Sequence, residues 1–126
     1  MYLKLNLNPN DNEADDCIVR AIAFVTQQTW EQVYNELCKI GLEKFEMPSG
    51  KVVFEEYLQN RGWINMRRIR RSMSNGKWLT VKEFVEIKKE RMIVIVSNHV
   101  VACDGGNYYD TFDCGGLTVQ GYWVKK

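Results

Sequence analysis

His99-Val100-Val101-Ala102-Cys103-Asp104-Gly105-Gly106-Asn107-Tyr108-Tyr109-Asp110-Thr111-Phe112-Asp113 decides how this chain is read. Two alternating apolar segments flank Asp104-Gly105-Gly106-Asn107, a strong hairpin signal because glycine supplies the positive φ of a tight turn. His99, the one histidine of the chain, heads the first strand, and Asp110 and Asp113 lie at the end of the second. A turn centred between Gly105 and Gly106 sets Phe112 opposite His99 and Asp110 opposite Val101. In a regular ladder Asp110 shares the face of His99 and Asp113 does not, whereas a bulge at the turn reverses that parity. Parity favours Asp110 as partner of the histidine, and nearness along the chain favours Asp113.

Outward from this hairpin, Met92–Val96 is a short apolar run rich in β-branched residues and suits a central strand. Val119–Val124 reads as a last strand, and Leu3, Leu5 and Leu7 alternate as in a short first one. The middle of the chain has helical spacing. A helix over 16–26 carries Ile18, Ala21, Ile22 and Val25. A second starts from a Thr29/Gln32 capping box and ends at Gly41. A third is capped by Ser49 and closed by Gly62, and a fourth begins at a Thr80/Glu83 box. Trp63–Ile69 reads as extended and Ser72–Lys77 as loop. Helices first and a mainly antiparallel sheet afterwards make an α+β fold. With no repeat or linker, residues 1–126 form one domain.

The chain has 126 residues with 17 basic and 16 acidic side chains, a net charge of +1. That balance gives no general electrostatic reason to expect nucleic acid or a membrane as partner. No apolar run approaches the ~20 residues of a spanning helix, and Met1–Asn8 is too short and polar for a secretory signal. The cytoplasm is the expected location. Cys17, Cys38, Cys103 and Cys114 are then expected as free thiols, and no CxxC or HxxxH spacing points to a zinc site.

Cys17 follows Asp15-Asp16 at the start of the first helix. Unpaired N–H groups of a first helical turn favour a thiolate, while neighbouring carboxylates oppose it unless one of them caps the helix. The dipole alone is insufficient, so a histidine partner is required, and His99 is the candidate. An acid that orients the imidazole completes such a site.

Asp16-Cys17-x-x-Arg20-Ala21 resembles the nucleophile motif of papain-like cysteine peptidases. It is similar to the Asp-Cys of bacteriocin-processing (C39-type) peptidases and to the Cys-x-x-Arg-Ala-Ile of ovarian-tumour-type deubiquitinases. Asn98-His99-Val100-Val101 followed by Asp113 is similar to the C39-type histidine and aspartate pattern. Nearly the whole chain also resembles a group of small papain-like proteins of bacteria and their phages, through Met47-Pro48-Ser49 and Tyr109-Asp110-Thr111-Phe112-Asp113. The resemblance implies a papain-like fold, with N-terminal helices presenting the catalytic cysteine at a helix start, packed on a sheet that carries histidine and aspartate. It implies a Cys17–His99–Asp113 triad, with Asp110 as the alternative acid. The activity implied is cleavage of an amide or isopeptide bond in a peptide or protein substrate, needing no metal or organic cofactor.

Papain-like enzymes place an amide donor about six residues before the cysteine, where this chain has Asp11. Asn8, Asn10 and Asn12 are nearby amides. Asn12 and Asn8 are the oxyanion candidates, together with the Cys17 N–H. That departure also motivates a second reading, an inactive papain-like domain that binds a peptide or protein. Cys38 and Cys103 read as packing residues and Cys114 as an exposed loop thiol. Arg20 is expected to pair with Asp15, Asp16 or Asp113. Arg67-Arg68-Ile69-Arg70-Arg71 is the one basic cluster and reads as a solvated edge strand, without the interleaved aromatics of a nucleic-acid platform.

Overall fold

A short strand, β1 (Tyr2–Lys4), leads through an asparagine-rich loop into three successive helices, α1 (Cys17–Thr26), α2 (Trp30–Lys44) and α3 (Lys51–Asn60). Then come β2 (Trp63–Met66), α4 (Val81–Ile87), β3 (Met92–Val96), β4 (His99–Asp104), β5 (Asn107–Asp110) and β6 (Gly121–Lys125). This is a computed structural model, and it describes residues 1–66 and 77–126. The Arg67–Arg71 cluster and most of the expected Ser72–Lys77 loop lie outside the described residues.

Six strands form one sheet in the order β1-β5-β4-β3-β6-β2. Its pairs are antiparallel except β1 with β5, which run parallel. The apolar run of β3 lies between β4 and β6, and Met92, Ile93, Val94 and Val96 are buried. Helices α1 to α3 cover one face, where Ile22, Leu37, Val53 and Leu58 pack with Ile93, Ala102 and Trp123. Helix α4 covers the other, where Val81, Phe84 and Val85 pack with Val94, Val101, Cys103 and Tyr108. Each fully buried side chain of this kind stabilises the fold by roughly 1.5–3 kcal/mol. The α+β class is as expected.

Local signals account for most boundaries. Both capping boxes form, Thr29 with Gln32 and Thr80 with Glu83. Gly105 and Gly106 have φ of 63° and 89°, the two positive values of a type I′ hairpin turn, so Asp104 pairs with Asn107.

Several boundaries differ from expectation, and β1 ends at Lys4, short of Leu5 and Leu7. Helix α2 does not stop at Gly41 but runs to Lys44. Gly41 is instead buried where the chain folds back, and a Cβ there would lie 2.6 Å from the Glu46 carbonyl oxygen. Ser49 does not cap α3; Gly50 holds the cap position, with no side-chain bond. The last strand starts at Gly121, because Val119 turns away to donate its N–H to the Leu79 carbonyl.

Candidate active site

Val96 pairs with His99 across a two-residue turn in which Asn98 takes a left-handed φ of 54°. That turn makes His99 the first residue of β4. The β4–β5 register pairs Ala102 with Tyr109, and its next step sets Asp110 beside Val101, with the parity of His99. No bulge interrupts the described ladder, and His99 Nε2 meets Asp110 Oδ2 at 2.5 Å.

Asp110 is the acid that the structure brings to the histidine, and Asp113 is not. Asp113 Oδ1 instead accepts from the Tyr108 hydroxyl at 2.5 Å and from the Gly115 N–H at 2.9 Å. Strand parity outweighs nearness along the chain. Those two bonds fold the following loop inward, with Gly115 so close beneath Tyr108 that a Cβ would fall 2.1 Å from its hydroxyl. Cys114 is therefore wholly buried rather than exposed, and it faces His99 and Asp110.

Cys17 opens α1 and is half-buried. It lines, with His99, a cavity of about 640 Å³ that also includes Asp15, Asp16, Asn98 and Gln120. His99 shares strand parity with residues packed beneath α4, whereas Cys17 comes from the helical layer on the opposite face. Both line the same cavity, at the end of the sheet marked by the Val96–His99 pair.

Asp16 occupies the N-cap position of α1, but its side chain makes no cap bond. Its carboxylate accepts from Arg20 Nε at 2.8 Å, Trp30 Nε1 at 2.9 Å and Asn8 Nδ2 at 3.2 Å. Arg20 also donates from Nη1 to Asp110 Oδ1 at 3.0 Å. Its partners are thus Asp16 and Asp110, rather than Asp15 or Asp113.

The charges in this cluster sustain one another. Burial opposes the His99 imidazolium, but the hydrogen bond to Asp110, the adjoining Cys114 and Cys17 thiols and the Asp110 charge raise its pKa to about 11. Burial likewise opposes ionised Asp110, yet His99 and Arg20 hold it below the usual carboxylate range. Asp16 is held low against its own burial by Arg20, Trp30 and Asn8. Burial pushes the Cys114 thiol up, with the Asp110 charge acting the same way and His99 against it.

No protein-family model, curated protein or solved structure matches this chain.

The expected oxyanion amides, Asn8 and Asn12, lie outside the cavity lining. Asn8 is held in the loop by Asp16, and its oxygen accepts from the Asn10 and Asn12 N–H groups. Side-chain amides that do line the cavity are Asn65, Asn98 and Gln120, which sequence reasoning missed; Asn98 had a signal, being adjacent to His99. The Phe112 ring lies 5.1 Å from the His99 ring, as their opposition across the hairpin foretold. Trp30, supporting Asp16 from α2, had no local signal. His99, Asp110 and Cys114 offer ligand atoms within 4.8 Å of one another, but the His99–Asp110 hydrogen bond already fills the space between the first two.

Proposed function

We propose that this chain is a thiol hydrolase that cleaves amide or isopeptide bonds of a peptide or protein through Cys17, His99 and Asp110. The observation that carries the reading is the cavity shared by Cys17 and His99, with His99 held from behind by Asp110. A papain-like architecture belongs to the same reading. Its support is the order of helix-start cysteine, strand-start histidine and next-strand acid on a helical layer and a mainly antiparallel sheet.

Asp110 engages Nε2, so Nδ1 is the nitrogen left to exchange a proton with the thiol. At rest His99 already holds that proton as the imidazolium, and the Cys17 thiolate paired with it attacks the carbonyl carbon to form a tetrahedral oxyanion. First-turn N–H groups of α1, uncapped by Asp16, are the donors nearest to hand for that charge. His99 returns the proton to the leaving amine as the C–N bond breaks, leaving a thioester on Cys17. His99 then deprotonates water, which attacks the thioester to release the acid and restore the thiolate.

Asp110 keeps the imidazole oriented and balances its charge, as the third member of such sites does. Four free cysteines suit a reducing compartment, so the cytoplasm is the proposed location. No helix among the described residues is long and apolar enough to cross a membrane.

The test is iodoacetamide alkylation of Cys17 as a function of pH, in the wild type and in His99→Ala, followed by an electrophilic peptide probe. Retention of fast alkylation below neutral pH in the wild type, lost in His99→Ala, is the expected result. Equal, ordinary thiol behaviour in both would sink the reading. One observation favours the alternative of a peptide-binding domain without turnover: Asn8, engaged by Asp16, does not line the cavity. Under that reading the probe's peptide binds reversibly and Cys17 is never acylated.

A further inference from the structure

We propose that Arg20 is a positioning residue: by forking between Asp16 and Asp110 it fixes the acid on His99 and draws Asp16 off the cap of the nucleophile's helix. The inference rests on the thiol-hydrolase reading and adds to it a polar tie between the two layers that the active site spans.

The geometry is a continuous series of contacts. Trp30 Nε1 and Asn8 Nδ2 fill Asp16 Oδ2, while Arg20 Nε takes Oδ1. The other arm of the fork, Nη1, takes Asp110 Oδ1, which also accepts from the Thr111 N–H at 2.8 Å. With Oδ1 occupied twice, Oδ2 is the oxygen presented to His99 Nε2. The Asp110 backbone is held as well, since its carbonyl accepts from the Leu5 N–H at 3.0 Å and the Tyr2 hydroxyl at 3.1 Å. Side-chain exposure is 6% for Asp16, 11% for Arg20, 1% for Asp110 and 13% for His99, so solvent does little to weaken these links.

Apolar packing sets how far α1 lies from β4, but it is non-directional and does not aim a carboxylate. Arg20 does so because it lies one turn after Cys17 on α1, on nearly the same side of the helix. It therefore refers the acid on β5 to the helix that carries the nucleophile. Only a planar guanidinium bridges two carboxylates in this way; a lysine ammonium is a single point charge. The same fork explains why an aspartate at an N-cap position makes no cap bond. Its oxygens are held by Arg20, Trp30 and Asn8, and the first turn of α1, beside the cavity, takes no cap bond from it.

The single histidine makes a direct test possible, because its imidazole N–H resonances need no assignment. In the wild type the Nε2–H should appear far downfield and be protected from exchange. Arg20→Lys keeps the buried charge but not the fork, and Arg20→Gln removes both. We expect loss of the protected Nε2–H in each, with kcat falling about 10²-fold and KM little changed, as for a small misplacement of reacting groups. Asp16→Asn should weaken the same resonance, and combining it with Arg20→Lys should cost no more than the larger single change.

A folded Arg20→Lys protein that keeps both the protected resonance and wild-type kcat would overturn the proposal, leaving Arg20 a purely structural ion pair. If Arg20→Gln does not fold, Arg20→Lys decides. If the wild type hydrolyses no amide at all, the hydrolase reading fails. The Nε2–H resonance then still judges Arg20: loss in Arg20→Lys supports the positioning role and persistence rejects it.

Discussion

His99 Nε2 and Asp110 Oδ2 lie 2.5 Å apart, although they stand eleven positions apart in sequence, on either side of a two-glycine turn. The contact is a consequence of strand parity, and it divides the two aspartates of the Asp110–Asp113 segment into different tasks.

Asp110→Asn should therefore reduce turnover by about 10²–10⁴-fold, the range for loss of an acid that orients a catalytic imidazole. Asp113→Asn should leave the kinetics near wild type and loosen the Cys114 loop, because its contacts are the Tyr108 hydroxyl and the Gly115 N–H. Steady-state kinetics of the two variants, compared with their thermal midpoints, check the division. Equal kinetic losses would mean the acids had been assigned wrongly.

Stability should depend on pH in two opposite limbs. His99 has a folded pKa raised to about 11, so its contribution is complete below its ordinary value of about 6.5 and is lost as pH rises through the folded value. Asp16 and Asp110 have lowered values, so theirs is complete above the ordinary value of about 3.9 and is lost as pH falls through the lowered ones. Urea denaturation across pH should show a plateau near pH 5–6.5 with a decline on each side. In Asp110→Asn the alkaline decline between pH 7 and 10 should flatten. An unchanged slope there would assign it to other groups.

Thiol accounting by mass spectrometry offers a check on the buried cluster. Under native conditions Cys17 and Cys38 should be alkylated, whereas Cys103 and Cys114 should react only after denaturation. Native alkylation of Cys114 would contradict its place against His99 and Asp110.

Gly41→Ala should destabilise the chain despite the higher helix propensity of alanine. The added Cβ meets the Glu46 carbonyl oxygen at 2.6 Å, and that oxygen is backbone within a tight chain reversal. A fall in stability of about 1–3 kcal/mol is expected, as for an overpacked core position. Thermal denaturation beside an exposed control such as Gly116→Ala, which meets nothing within 4 Å, measures it.

Much of this was legible because its causes are local. The capping boxes at Thr29 and Thr80, the apolar run of β3 and the Gly105-Gly106 turn each encode their structure within a few residues. The His99 and Asp110 pairing was legible too, as a parity argument, but the resemblance to C39-type peptidases pointed to Asp113. What stayed hidden depends on distant partners. Trp30 reaches Asp16 from the next helix, and Arg20 reaches Asp110 across 90 positions. Cys114 looked like a loop thiol because the bonds that turn it inward run to Tyr108, on the preceding strand. Gly41 looked like a helix stop because its actual constraint is a later backbone carbonyl.

The two hairpin turns that bracket β4 carry one more consequence. Ser97-Asn98 and Gly105-Gly106 are both two-residue connections, and each holds a side chain of the site at a fixed count from its turn. Lengthening either by one residue would not merely enlarge a loop; it would send the imidazole or its carboxylate through the sheet to the opposite layer. Insertions and deletions are thus closed to this stretch between Val96 and Asp110, and related chains that keep the site should vary in length elsewhere. The site is written as a ruler as much as a set of residues.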